Sequence, residues 1–440
     1  MRYENIKSVI LTLLILISIV LTWNLWTYQP NYETMKNANT VEEVSLSEKQ
    51  EVQKILRPDQ ILYHISGHHY GTSNTDELEE IMKQLGQWTF LDVGNYTEKA
   101  GNINNLVHGN GKAEIIFPGE IPIALYRSVL NFEGRKIPSF NFDRIVINVE
   151  NSSKDFGTVY FVSSEHQQVF ISHISSALLK GFQKDFYKKA VNLPRYFAYK
   201  PTAKRTIFLP ESETEMMEYR YLPITLDSNE FKEALFSDPS FVQKSMLPHG
   251  EEYTNDSSKM NVYYDSNMLV YVNPTVESEY TSNSYDLVKK SIDFVNEHGG
   301  WTDPYRYVSK DDYEQSVVFR LYSMDGYPVH NDQGASEIKE VWGKNEIMKY
   351  IRPNISLDLP LRSETKKMIL PSGREALKFL EDRKNFNPEL LKKIELGYRM
   401  ERDSKENKII LLEPAWFYQY DDTWVQITME DQGGFKHGLE

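Results

Sequence analysis

The sequence predicts an α+β protein in which one N-terminal transmembrane helix precedes a multidomain extracytoplasmic region built on antiparallel sheets. Three observations lead there. No charged residue occurs from Ser8 to Tyr32. The rest of the chain alternates short aromatic and β-branched runs with turn residues. Beyond residue 204 the order hairpin, helix, hairpin occurs twice, which predicts that the last two domains are related ββαββ-type modules.

Taken in order, the anchor comes first. Its centre, VILTLLILISIVLTWNLW from Val9 to Trp26, reaches roughly 27 Å as a helix, close to a hydrocarbon core of about 30 Å. Trp23, Trp26 and Tyr28 mark one interface, and Arg2 and Lys7 lie before the other, so the N terminus is expected in the cytoplasm and the bulk of the chain outside the cell membrane. A cleaved signal peptide would need small residues at the cut, and WNLWTY offers none. At about 100° per residue, Ser8, Thr12, Ser18 and Thr22 fall on one face, where small hydroxylated residues permit close approach by another helix.

The expected organisation is a cytoplasmic terminus at 1–8, the transmembrane helix at 9–28, and a linker or short helix at 29–58, opened by Ser47 and closed by Pro58. An N-terminal α+β domain at 59–203, a central one at 204–333 and a C-terminal one at 334–440 complete the chain. In the first domain the expected helices are 75–85 and 172–190, and the expected strands 113–117, 144–149, 157–162 and 168–171. In the second, a hairpin turns at Asp265-Ser266-Asn267, a helix covers 285–297, and a second hairpin turns at Asp325-Gly326. In the third, hairpins turn at 343–345 and at Asp421-Asp422, on either side of a helix over 373–382.

Composition narrows the function. The formal charge is −14 and there is no basic stripe, which argues against nucleic acid as a partner. The absence of cysteine excludes disulfides, thiolate catalysis and cysteine-ligated zinc. Hydrophobic residues at 40%, with 28 Tyr and 21 Phe, supply ample core for an ordered outer part.

The motifs that could carry chemistry are incomplete. His64, His68 and His69 in LYHISGHHYG have no diagnostic metal spacing and no HExxH pattern, so they are expected to pack and bond locally, with no metal or cofactor. Ser363-Glu364-Thr365-Lys366 lacks the partner motifs of a Ser-x-x-Lys enzyme. In HGNGKAE, Gly109 and Gly111 miss the phosphate-loop spacing, and a turn is expected. Asp311-Asp312 and Asp421-Asp422 are carboxylate pairs of the kind any chain with 63 acidic residues contains. Trp416, Tyr418 and Tyr420, at alternate positions, predict cross-strand packing. No catalytic residue is assigned.

The segments MRYENIKSVILTLLILISIVLTWNLWTYQPNYE, YYDSNMLVYVNP, FRLYSMDGYPVHN and LEPAWFYQYDDTWVQI, in this order, resemble the YycH (WalH) regulatory family of Gram-positive bacteria. The resemblance implies a non-enzymatic membrane regulator working beside a second single-span protein, YycI (WalI). Together they would bind and restrain the WalK (YycG) sensor histidine kinase, whose response regulator WalR (YycF) governs cell-wall metabolism. The other functions open to such a chain are a membrane-anchored wall hydrolase and an extracytoplasmic assembly chaperone.

Overall fold

A computed structural model describes residue 18 and residues 49–134, 137–150, 155–277, 283–344, 346–361 and 365–428. The segments 1–17 and 19–48 lie outside this description, and with them the expected anchor except Ser18, which is helical and exposed. Among the described residues no helix is long and apolar enough to cross a membrane. The chain divides into a unit at 1–42 and a unit at 43–440.

Three large sheets build the second unit. The first has ten strands, in the order Arg205–Pro210, Arg195–Thr202, His68–Thr72, Gln60–Ile65, Lys112–Pro122, Asn141–Asn148, Phe156–Ser163, Gln168–Ser175, Thr89–Asn95 and Asn131–Phe132. All neighbours are antiparallel except the last pair. Helix Thr75–Leu85 buries Leu78, Ile81 and Leu85, one face at helical spacing, and Asn74 caps it by accepting from Glu77 N. The expected helix at 172 starts later. Ser172 to Ser175 continue the strand, with Ser175 opposite Phe156, and the helix begins at Ser176 with Ser175 as its cap. Ladder pairing there outweighs local helical spacing.

The second sheet has eight strands, in the order Gln243–Leu247, Gly250–Thr254, Lys259–Tyr263, Met268–Val272, Ile347–Pro353, Glu337–Trp342, Ser316–Leu321 and Tyr305–Asp311. Helix Ser284–Glu297 buries Leu287, Val288, Ile292 and Val295. The third sheet orders Val329–His330, Leu391–Arg402, Ile410–Tyr420, Thr214–Tyr221 and Lys366–Leu370, with Thr423–Gln426 paired to Ile410–Tyr420. Helix Gly373–Glu381 opens with a capping box between Ser372 and Glu375 and buries Ala376, Leu377 and Leu380.

Strand partners therefore cross the expected boundary at 333/334. The hairpin 337–353 lies between Met268–Val272 and Ser316–Leu321, while Thr214–Tyr221 joins strands from beyond residue 365. The turn at Asp325-Gly326 exists, with Gly326 at φ +83°, yet it closes no hairpin. A single bridge joins Tyr322 to Pro328. Pro328 has no N–H to continue the ladder, and Val329–His330 instead runs parallel to Tyr398–Arg399. Asp325 is fastened to the third sheet, accepting from Tyr219 Oη at 2.6 Å and Tyr398 Oη at 3.1 Å.

The sheets meet at an irregularity in the strand Lys112–Pro122, where the register to Asn141–Asn148 shifts between Ile116 and Ile121. Tyr307 Oη of the eight-stranded sheet donates to Glu120 O at 2.7 Å, and Lys393 Nζ of the third sheet donates to Pro118 O. At Gly119 an added Cβ would lie 2.3 Å from Val308 O, so only glycine lets the two backbones approach. Nearby, Asp59 N donates to Ile116 O, and Asp59 Oδ2 accepts from Tyr322 Oη at 3.1 Å. The Arg306 guanidinium lies 4.2 Å from the centre of the Tyr322 ring and pairs with Asp59 Oδ1 at 3.8 Å.

Gly119→Ala is expected to lower stability by about 1–3 kcal/mol through this backbone clash. Gly94→Ala, where the added Cβ would meet only Asp92 O at 3.9 Å, should be near neutral. Urea midpoints of the two variants decide it. Equal losses would contradict the close approach.

Candidate functional site

The hairpin of Gln60–Ile65 and His68–Thr72 turns on Ser66-Gly67, with φ of +50° and +80°. Its register pairs His64 with His69 and Ile65 with His68. Cross-strand partners share a face and successive residues alternate, so His64 and His69 project together while His68 projects to the other side. Glu114 of Lys112–Pro122 and Arg144 of Asn141–Asn148 arrive on the same face through the ladders that pair Leu62 with Glu114 and Glu114 with Val146. Helix Ile103–His108, capped by Asn102, covers this face and contributes His108 from its last turn. The turn behind His108 is fixed by Gly111 N donating to His64 O at 2.9 Å and Gly67 N donating to Asn110 Oδ1 at 2.7 Å.

The result is a buried polar cluster. Glu114 and His64 are fully enclosed, and the His108 side chain is 13% exposed. Glu114 Oε2 lies 3.2 Å from His64 Nε2 and 2.9 Å from His108 Nδ1, while Glu114 Oε1 accepts from Arg144 Nη1. His64 Nδ1 lies 2.7 Å from His69 Nδ1. Phe208 closes the cluster, its ring centre 5.3, 4.8 and 5.0 Å from those of His64, His69 and His108.

Electrostatics fixes the protonation. Burial, with further repulsion from His108 and Arg144, pushes His64 down to about 3. Burial and then Arg144 and Lys200 push His108 down to about 3. His69 falls to about 4, through burial and the neighbouring histidines. Burial also lowers Arg144 to about 10, which leaves it cationic at neutral pH. Three neutral imidazoles, the Glu114 carboxyl group and one guanidinium then satisfy each other. His69 Nδ1–H donates to His64 Nδ1, while His64 Nε2–H and His108 Nδ1–H both donate to Glu114, an assignment that follows from the network. His64 Nε2, His108 Nδ1 and Glu114 Oε2 lie within 4.8 Å of one another and form a donor set that could hold a metal ion.

A second cluster joins Glu120, Ser163 and His166 beside a cleft of about 310 Å³. It is no catalytic triad. Ser163 Oγ donates to Glu120, and His166 Nδ1 faces both Glu120 Oε1 at 3.1 Å and Ser163 Oγ at 3.3 Å. A triad needs the two imidazole nitrogens split between nucleophile and carboxylate. Here one nitrogen serves both, and Glu120 raises the His166 pKa chiefly through their hydrogen bond.

Likeness to known proteins supplies the setting. The models of the YycH protein N-terminal domain and C-terminal domain match residues 4–190 and 204–434. The chain belongs to the YycH family. It is 28% identical over 450 residues to a Bacillus subtilis (strain 168) protein named as the two-component system WalR/WalK regulatory protein YycH, covering 98% of this chain and 97% of that one. The crystal structure of YycH from Bacillus subtilis superposes with a TM-score of 0.74 at 25% identity, over 87% of this chain and 98% of that chain.

Within this YycH fold the residues singled out from sequence fare differently. Ser8, Thr12 and Thr22 lie outside the described residues, as do Ser363 and Glu364. His64 and His69 meet, whereas His68 Nδ1 faces Arg195 Nη2 at 2.6 Å. Asp311 serves a turn, accepting from Tyr313 N and Glu314 N, and Asp421 turns its hairpin at φ +56°. Trp416 and Tyr418 are buried in packing. His108, Glu114 and Arg144 have no role in the sequence reading, although HGNGKAE contains the first two six residues apart.

Because His64 and His108 bind protons less readily folded than unfolded, stability is full above about pH 6.5 and falls as pH drops toward 3. Each adds up to about 1.4 kcal/mol per pH unit to that slope. His108→Asn, which retains a donor for Glu114, should remove roughly one histidine's share. Urea titrations across pH 4–7 measure this, and an unchanged slope in the variant would contradict the network.

Proposed function

We propose that this chain is a membrane-anchored, extracytoplasmic regulator that, beside a YycI (WalI)-like partner, binds and restrains a WalK (YycG)-like sensor histidine kinase controlling cell-wall metabolism. The observation that carries the proposal is the likeness, at 28% identity over 98% of the chain, to a relative named as a WalR/WalK regulatory protein. The apolar run Val9–Trp26 supports anchoring in the cell membrane with the N terminus cytoplasmic. Binding of this kind regulates only when the two kinase states are bound unequally.

Two features of the chain suit that task. The stripe Ser8, Thr12, Ser18 and Thr22 offers a close-packing face to partner helices. Where the chain enters its large unit, Gln50 N donates to Asn296 Oδ1 at 2.8 Å and Asn296 Nδ2 donates to Gln50 O at 3.2 Å. Asn296 is itself held by Trp301 Nε1 at 2.8 Å. Residue 50 is thereby fixed to the helix Ser284–Glu297, with helix Val52–Ile55 directly after it.

Thr12→Leu combined with Ser18→Leu is expected to leave the protein in the membrane while reducing kinase co-purification in mild detergent several-fold and raising target-gene output. Membrane fractionation with quantitative capture of the kinase reads all three. Normal capture and normal output with the doubly substituted chain would count against this face, and recovery of the parent chain in the soluble fraction would count against the anchor.

A further inference from the structure

We propose that His64, His108 and Glu114 bind one divalent transition-metal ion of the zinc type. The donors are two imidazoles and one carboxylate, a set that suits zinc and its neighbours and is poorly matched to magnesium or calcium, which take oxygen ligands. Three different elements supply them. His64 stands on a strand interior to the ten-stranded sheet, Glu114 on the adjacent strand, and His108 on the last turn of the covering helix.

Distances suit a tetrahedral ion. With metal–ligand bonds of about 2.0–2.2 Å, donor atoms stand roughly 3.3 Å apart. Glu114 Oε2 is 3.2 Å from His64 Nε2 and 2.9 Å from His108 Nδ1, both close to that spacing, and the two nitrogens lie within 4.8 Å of each other, so an ion enters as the imidazoles close around it. The hydrogen bonds of the two imidazoles need only tautomer changes to expose the ligand atoms: the proton leaves Nε2 of His64 for Nδ1, and Nδ1 of His108 for Nε2.

Supporting contacts are already in place. Once His64 carries its proton on Nδ1, that N–H donates to His69 Nδ1 across the existing 2.7 Å contact, and His69 takes its own proton on Nε2. Such a partner orients a metal-bound histidine. Arg144 holds the far carboxylate oxygen and fixes the orientation of Glu114. Its positive charge opposes the ion, and a water in the fourth position that loses one proton to solvent, becoming hydroxide, offsets part of that opposition.

The test uses the full-length chain in detergent, stripped with a chelator and titrated with Zn²⁺ by calorimetry and with Co²⁺ by visible absorption. One equivalent should saturate the protein, raise its melting temperature and give the intense bands of tetrahedral Co²⁺. His64→Gln and His108→Asn should each weaken binding at least tenfold, His69→Gln should weaken it by about 10–100-fold, and His68→Gln should leave it unchanged. Absence of saturable uptake, or uptake that survives in His108→Asn, would overturn the assignment. So would loss of uptake in His68→Gln with retention in the other variants. Native circular dichroism is required of each variant, and His108→Asn, which keeps its bond to Glu114, decides the matter should His64→Gln not fold.

Discussion

The structure depends on one irregular strand. Lys112–Pro122 breaks register between Ile116 and Ile121, and the freed backbone of Pro118–Glu120 becomes the place where the eight-stranded sheet and the third sheet both attach. A regular strand would have sent those carbonyls into its own ladder. The break frees Pro118 O for Lys393 and Glu120 O for Tyr307, and Gly119 removes the side chain that would hold the sheets apart. Polar groups gather at the same seam. Burial raises Asp59 to about 6, with Arg306 opposing that rise, and Tyr322 donates to its carboxylate. Groups of this kind hold their partners in one arrangement of the sheets and lose them in most others, so they set geometry more than they add stability.

The same strand carries Glu114, around which the histidines are arranged, eight residues before the strand's last residue. The site and the seam are thus parts of one element. A shift of the strand that tightened or loosened the cluster around Glu114 would bear directly on the backbone to which Tyr307 and Lys393 are bonded. The Glu120, Ser163 and His166 group, with one imidazole nitrogen serving two partners, has the wrong geometry for acyl transfer.

Local pattern was a good guide to elements and a poor one to partners. The turns at Asp265-Asn267, Gly343 and Asp421-Asp422 are where alternation and turn residues place them, and helices open at Thr75 and Gly373 as expected. Strand pairing depends on contacts far apart in sequence, which alternation does not encode. Hence the Asp325-Gly326 turn is present while its flanking strands belong to different sheets, and the two expected ββαββ modules share strands. The histidine cluster shows the same limit. The hairpin register that joins His64 to His69 is local and could be anticipated from Ser66-Gly67 between them. His108 and Glu114 reach them only because a helix and a neighbouring strand fold onto that hairpin, and Arg144 arrives one strand farther on.

A chain that acts on a sensor kinase by binding must change the kinase's own rate. The decisive measurement is the autophosphorylation rate of a WalK-like kinase in proteoliposomes containing a YycI-like protein, with and without the full-length chain. Restraint by binding requires a slower rate with the chain present, saturating at a fixed ratio of chain to kinase. An unchanged rate at every ratio, with all three proteins shown to be in the same vesicles, would contradict it.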